Sequence, residues 1–197
     1  MTWHTLLILL STSLASANSF ETPRGTYAVS QQDTHWTVTQ NHRVWGTSDI
    51  TPDTQRLAAM VLCQNALAEH ILVIGNGMGL AKTLLLSDTA QDVTWAHPDP
   101  EYISAIMTHP HLKPVDADAR LILHTGPVTA LLEAHEQTYD IILVNVPDPL
   151  LPVCRDMMSP AFYALIQQAL TPLGLAAFSG PDASTDALPQ HLALLGA

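Results

Sequence analysis

Short apolar runs recur along the chain after residue 70, and each of the five is continuous rather than alternating with polar residues. Strands that are apolar at every position are covered on both faces of a sheet, as parallel strands are. The stretches between the runs have helical spacing, which indicates right-handed crossover helices. The pattern predicts an α/β fold with a doubly wound, mostly parallel open sheet of Rossmann-like type. The predicted strands contain residues 71–74, 93–96, 121–123, 141–144 and 175–178.

Residues 26–45 have a different pattern, in which apolar and polar residues alternate. Alternation is typical of strands with one buried face, and the polar segments 31–33 and 40–42 are suited to turns. We therefore predict a small antiparallel β-meander, which belongs to an N-terminal unit of residues 18–50.

A helix is predicted directly after this meander. Thr51 is a good N-cap, Pro52 is favoured in the first helical turn, and Asp53 places a carboxylate near the positive end of the helix dipole. The helix should extend to about Leu67 and begin the main unit, residues 51–197. The residues expected on its buried face are Leu57, Met60 and Val61.

The segment at residues 1–17 contains an apolar run at 6–10 and ends in small residues. This order matches an export signal cleaved before Asn18, and the run is too short to cross a bilayer. The start of the segment has no Lys or Arg, so a membrane-proximal segment and a buried N-terminal segment stay open as alternatives. The protein is exported or periplasmic under the first interpretation, membrane-associated under the second and cytoplasmic under the third.

The chain is acidic, with 7 Lys and Arg against 18 Asp and Glu among 197 residues and a formal net charge of -11. This balance provides no broad basic face for a phosphate backbone, so nucleic acid is not an expected partner. Cys63 and Cys154 fit no disulfide framework, and either one bridge or two thiols is possible. His109 and His111 flank a proline and have no Cys or carboxylate at a ligand spacing, so no metal site is predicted.

In a doubly wound sheet, ligands bind in the crevice beyond the carboxyl ends of the strands. Glycines after the first strand permit a tight turn and a close approach of the backbone to a bound nucleotide or nucleoside. The alternative is tight packing of the strand against the following helix, with no ligand. The predicted binding loop consists of Gly75, Asn76, Gly77, Met78 and Gly79.

The next three strands also end in polar residues. Asp99 is able to hold ribose hydroxyls after the second strand, but it equally suits a helix N-cap, which is the interpretation that we favour. An Asn amide positions an amine but cannot take its proton, whereas the carboxylate of Asp148 can do either. The predicted rim residues are His97 and Asp99 after the second strand, Thr125 and Gly126 after the third, and Asn145 and Asp148 after the fourth.

The order of these segments resembles the spermidine synthase family, the polyamine aminopropyltransferases, whose fold is related to that of S-adenosylmethionine-dependent methyltransferases. The resemblance extends over residues 26–180, and its best-matching stretches are 71–79, 93–103 and 139–170. It implies aminopropyl transfer from decarboxylated S-adenosylmethionine, the nucleoside co-substrate, to a polyamine, with no further cofactor. It also implies that the meander corresponds to the small N-terminal β-domain of the family.

Several residues depart from the family's pattern at positions that carry charge. Met78 stands where the family has an Asp that engages the aminopropyl end, and His97 where an acidic residue holds the ribose. Thr125 replaces an Asp that meets the adenine amino group, and Asn145 replaces the Asp that acts as base toward the attacking amine. Asp148 matches the second Asp, which helps to hold the amine substrate. The resemblance therefore implies weak or lost aminopropyltransferase activity.

Two further functions stay open. One is an S-adenosylmethionine-dependent methyltransferase acting on a small amine, because Asn145-Val146-Pro147 is similar to the turn with which amino-methyltransferases orient a nitrogen. The other is a non-catalytic binding or interaction domain.

The family continues with another helix and two strands after the fifth strand, so the main unit is expected to be incomplete at its C-terminus. The strand at 175–178 would then be an apolar edge, which a partner, a second copy or the last predicted helical stretch, 187–197, would cover.

Overall fold

The computed structural model describes residues 18–33, 35–110, 112, 118–147 and 151–179. The predicted export segment, residues 1–17, and the last predicted helical stretch, 187–197, lie outside the described residues. Of the helices in the described ranges, none is long and apolar enough to cross a bilayer.

An antiparallel sheet of four strands precedes the main sheet, in the order β1-β2-β3-β4. This result confirms the predicted meander and adds β1, which the alternation pattern did not indicate. Its buried residues alternate along the strands, so that large apolar side chains line one face against the rest of the protein. The strands are β1 (Asn18–Thr22), β2 (Gly25–Gln32), β3 (His35–Gln40) and β4 (Arg43–Thr47).

Helix α1 (Pro52–Gln64) begins where the sequence predicts. The Thr51 side chain accepts a hydrogen bond from the backbone amide of Thr54, and the Thr54 hydroxyl accepts one from the backbone amide of Thr51, which together form a capping box. Ala58 and Val61 are buried and Leu57 is partly buried. The prediction for Met60 is wrong, because its side chain is 62% exposed. The buried face of the helix passes through positions 58 and 61, and position 60 lies outside that face.

The main sheet has five parallel strands in the order β7-β6-β5-β8-β9, which confirms the predicted doubly wound α/β fold. The chain adds β6 and β7 on one side of β5, and then crosses to add β8 and β9 on the other side. The strands are β5 (His70–Gly75), β6 (Asp92–Ala96), β7 (Leu121–Leu123), β8 (Tyr139–Asn145) and β9 (Leu170–Phe178).

Helices connect the strands and cover the sheet, with α1 packed against α2 and α4 packed against α5. The central strand is completely buried from Ile71 to Ile74, so the core lies on both sides of it. Cys63 is exposed on α1 and Cys154 is buried, and no disulfide joins them. The further helices are α2 (Met78–Leu84), α3 (Tyr102–Thr108), α4 (Val128–Ala134), α5 (Pro160–Ala169) and a 3₁₀ helix at Pro152–Met158.

The direction of strand addition reverses between β5 and β8, which is where ligands bind in folds of this type. Gly75 at the end of β5 is paired with Asn145 at the end of β8, and Ile74 is paired with Ala96 at the end of β6. The predicted glycine loop and the predicted rim residues His97 and Asn145 therefore meet at one edge of the sheet.

Candidate functional site at the strand ends

The glycine loop packs closely against its own protein. The indole of Trp95 donates a hydrogen bond to the Gly75 carbonyl at 2.9 Å, and a Cβ at Gly77 would overlap that same indole. Met78 follows with a side chain only 2% exposed, and Gly79 is also buried. The absence of side chains at Gly75 and Gly77 is thus explained by intramolecular packing, which was the alternative to ligand binding in the sequence analysis.

Asn145 joins the end of β8 to this loop. Its Nδ2 donates to the Asn76 carbonyl at 2.7 Å, and the Asn76 amide donates to the Asn145 carbonyl at 2.7 Å. These two hydrogen bonds hold the loop in place, so we call the pair the Asn76–Asn145 clamp. The clamp uses a donor that an Asp carboxylate at position 145 would not have.

Replacement of Asn145 should therefore destabilise the loop, and the charge of the new side chain should matter. Asn145→Ala removes one hydrogen bond, and we expect it to lower the free energy of unfolding by about 1 kcal/mol. Asn145→Asp places a carboxylate against the Asn76 carbonyl, and we expect a loss of about 2–3 kcal/mol. Urea unfolding at pH 7.5 measures both. Equal stability of Asn145→Asp and the wild type would contradict the role assigned to the clamp.

His97 is buried at the end of β6, with 1% of its surface exposed. Its Nδ1 accepts a hydrogen bond from the Asp99 amide at 3.0 Å, and its ring stacks on Tyr102 with the ring centroids 3.7 Å apart. Burial lowers the pKa of His97 to about 3, so the imidazole is neutral. Its Nε2 is buried without a hydrogen-bond partner among the described residues.

Asp99 uses both carboxylate oxygens within the protein. Oδ2 accepts from the Thr22 hydroxyl at 2.5 Å and from the Tyr27 hydroxyl at 2.9 Å, and Oδ1 accepts from the Glu101 amide at 3.1 Å. Burial, followed by the nearby charge of Asp99, raises the pKa of Tyr27. Asp99 thus ties the N-terminal sheet to the end of β6. The prediction that Asp99 is a helix N-cap is wrong, because the N-cap of α3 is Glu101 and the Asp99 carboxylate bonds to the N-terminal sheet.

Five rings fill the space between the N-terminal sheet and the end of β6, and we call them the aromatic plug. Each ring has at most 1% of its surface exposed. Neighbouring rings are in contact, with centroid separations of 5.0 Å between Tyr27 and Tyr102 and 5.1 Å between Trp45 and His97. Burial also raises the pKa of Tyr102, so every ring of the plug is uncharged at neutral pH. The plug consists of Tyr27, Trp45, Trp95, His97 and Tyr102.

Of the five rings in this plug, His97 was predicted from the sequence to lie at the site, and the other four were not. Tyr27 and Trp45 occupy inward positions of β2 and β4, where alternation indicates burial but not the neighbour. A signal in the sequence could have identified these four rings. Large aromatic residues recur in the predicted strands and in the segment that follows His97, and a ring in each segment indicates that the segments meet in one apolar contact.

The end of β7, the third predicted strand, contributes less to the candidate site. Thr125 is exposed, and Gly126 is half-buried with a φ of +139°. A cavity of about 150 Å³ lies beside them, lined by Pro98, Pro127 and Phe162 among others. Ligand pockets usually measure about 300–1,000 Å³, so this cavity is small for a nucleoside. Asp148 lies outside the described residues, and its role stays a prediction.

A cavity of about 820 Å³ lies elsewhere, between residues 48–52, which connect β4 to α1, and the C-terminal end of α2. Its charged groups are engaged with the protein, since Lys82 donates to the Ser48 carbonyl at 3.1 Å and Arg120 pairs with Asp118 at 2.8 Å. Among the described residues there is no cluster of three or more His, Cys, Asp or Glu side chains that would hold a metal ion.

The five-stranded parallel sheet, the glycine loop and the preceding antiparallel sheet define a Rossmann-like fold of the methyltransferase type. A spermidine synthase solved in complex with the transition-state analogue AdoDATO matches 91% of this chain and 63% of its own, with a TM-score of 0.72 and 15% identity. The spermidine synthase of Thermotoga maritima matches 91% of this chain and 62% of its own, with a TM-score of 0.73 and 16% identity.

The profile of the Spermine/spermidine synthase domain matches residues 52–182, so the chain belongs to this family. A polyamine aminopropyltransferase of Oceanobacillus iheyensis is 28% identical over 54% of the chain, and polyamine aminopropyltransferase 2 of Streptomyces coelicolor is 30% identical over 61%. The matched regions cover only 22% and 23% of those two proteins. The chain thus matches less than a quarter of each curated relative, and the resemblance inferred from the sequence is confirmed at the level of the family.

Proposed function

We propose that this chain is a spermidine synthase-type protein in which aminopropyl transfer from decarboxylated S-adenosylmethionine is weak or lost. The observation that carries the proposal is the aromatic plug. In folds of this type the nucleoside occupies the crevice beyond the strand ends. At the end of β6, that region contains five rings of this chain, each at most 1% exposed.

The electrostatics of the strand ends also support the proposal. The aminopropyl donor carries a positively charged sulfonium, which nearby carboxylates stabilise. Met78 is apolar, His97 is neutral because its pKa is lowered to about 3, and Asp99 is already bonded to three protein donors. A donor in this crevice would therefore meet no negative charge from Met78 or His97, and the carboxylate of Asp99 is already bonded to Thr22, Tyr27 and the Glu101 amide.

The attacking amine needs a base because it is protonated at neutral pH. Asn145 has no basic group, and its amide is held by the Asn76–Asn145 clamp. Loss of general base catalysis typically lowers a rate by about 10²–10⁴-fold. Asp148 is the carboxylate that we propose for holding the amine, and it would have to replace the missing base as well.

Calorimetric titration of the full chain with decarboxylated S-adenosylmethionine, S-adenosylmethionine and methylthioadenosine tests the proposal. We expect no binding in the micromolar range to any of the three. Turnover with putrescine should be at least about 10²-fold below that of the Thermotoga maritima spermidine synthase assayed in parallel. Binding of S-adenosylmethionine alone, with methyl transfer to a small amine, would favour the methyltransferase alternative.

Asp148→Ala is the matched variant for this experiment. We expect it to lower the already low turnover further, because Asp148 is the carboxylate that we propose for holding the amine and position 145 has no base to replace it. Micromolar binding that prefers the decarboxylated donor, with robust turnover that Asp148→Ala abolishes, would overturn the proposal.

A further inference from the structure

An apolar groove of about 550 Å³ lies between the outer side of α1 and the edge strand β9. We call it the α1/β9 groove. It explains why Met60 is 62% exposed, since this side chain forms part of the wall. Cys63, which is also exposed, lies in the same wall one helical turn further along. The apolar lining residues include Leu57, Met60, Val61, Leu175, Ala177 and Phe178.

The walls of the groove indicate an uncharged occupant. Arg56 is the charged residue among those that line it, and its guanidinium pairs with Asp53 at 3.0 Å on the surface of α1. Charged side chains are costly to bury without a partner, whereas apolar side chains gain free energy from such a surface. β9 is also the last strand of the described sheet, so the groove borders the edge of that sheet.

We propose that residues 187–197 of this chain occupy the α1/β9 groove. In a protein with a net charge of -11, this segment has no Asp, Glu, Lys or Arg. Four of its 11 residues are leucine, at positions 188, 192, 194 and 195. Its composition therefore complements the groove, while it would be unfavourable as a solvated surface.

The chain leaves β9 beside the groove, which places the segment within reach. Phe178 is the last residue of β9 and lines the groove itself. The intervening residues 179–186 span up to about 26 Å when extended, whereas the groove residues 175–178 of β9 cover about 13 Å. A tether of this length gives an effective concentration in the millimolar range, which favours this segment over a separate molecule.

Crosslinking from Cys63 tests the proposal on the full chain. The variant Leu192→Cys introduces another thiol into the segment, and a short bismaleimide reagent then joins thiols that lie close together. At low micromolar protein concentration we expect most of the chains to be crosslinked within one molecule, as seen by peptide mapping. Ser30→Cys, on an exposed position of β2, is the matched control and should give little of this product. Cys63→Ser in the Leu192→Cys background should abolish it.

The reaction rate of Cys63 with a maleimide provides a second measurement. Leu192→Asp should raise this rate at least about tenfold, because a buried carboxylate without a partner displaces the segment from the groove. Deletion of residues 187–197 should give a similar increase. A crosslink between two chains would assign the groove to a second copy and overturn the proposal. The absence of any crosslink, together with an unchanged Cys63 rate in both variants, would also overturn it.

Discussion

Acidification from pH 6.5 to pH 4 should lower the free energy of unfolding by about 3 kcal/mol through His97 alone. In the folded protein the pKa of His97 is lowered to about 3 by burial, whereas in the unfolded chain it returns to its ordinary value of 6.5. Between these values the unfolded state binds a proton that the folded state does not. The contribution of His97 is therefore complete above pH 6.5, and is lost at up to about 1.4 kcal/mol per pH unit as the pH falls toward 3.

Urea unfolding at pH 7.5, 6, 5 and 4 measures this dependence, and His97→Asn isolates it. An Asn oxygen can still accept the hydrogen bond from the Asp99 amide, but it does not titrate. The variant should be less stable at pH 7.5 and should lose less stability than the wild type at each lower pH. His42→Asn, on an exposed turn, is the control for the loss of one histidine. Parallel pH profiles for the wild type and His97→Asn would contradict the buried, neutral state of His97.

Gly75→Ala should lower the free energy of unfolding by about 3–5 kcal/mol. Two effects add at this position. The φ of Gly75 is +101°, a conformation that an alanine adopts only with strain, and the new Cβ would overlap the backbone carbonyl of Asn145. That carbonyl accepts the Asn76 amide in the Asn76–Asn145 clamp, so it cannot move without weakening the loop.

Gly126→Ala is the matched control for backbone strain. Gly126 also has a positive φ, +139°, but a Cβ there would meet only the His124 ring at an ordinary contact distance of 3.5 Å. We expect a loss of about 1–2 kcal/mol for this variant, from strain alone. Denaturant unfolding of both variants separates the two effects. If Gly75→Ala costs no more than Gly126→Ala, the overlap with Asn145 is not a real constraint.

The main sheet could be predicted because its signal is local. Parallel strands buried on both faces are continuous apolar runs, and all five predicted runs lie within observed strands. β1 was missed because Phe20 is the single large apolar residue in Asn18–Thr22, which leaves no alternation to detect. Met60 was misassigned because the periodicity of α1 does not identify which stripe of the helix meets the sheet.

The position of the candidate site could be predicted from the sequence, but the contacts, burial and charge state of its side chains could not. The glycine loop, His97 and Asn145 meet at one edge of the sheet because parallel strands bring their carboxyl ends together. The contacts that determine their state come from residues distant in the chain, as when Trp45 covers His97 or Thr22 bonds to Asp99. No spacing rule relates a meander strand to the end of β6, so the burial of His97 and its lowered pKa required the structure.

The order of the strands also has a consequence for folding. Neighbours in the N-terminal sheet follow one another directly along the chain, so that this sheet forms from local contacts. In the main sheet, Ile71 pairs with Val93 on one side but with Ile141 on the other. Distant pairings require closure of a long loop before any contact stabilises them, and they slow folding. We therefore expect the joining of β8 to β5 to limit the rate at which the chain reaches its native state. Until then β5, which is apolar from Ile71 to Ile74, keeps one edge unpaired.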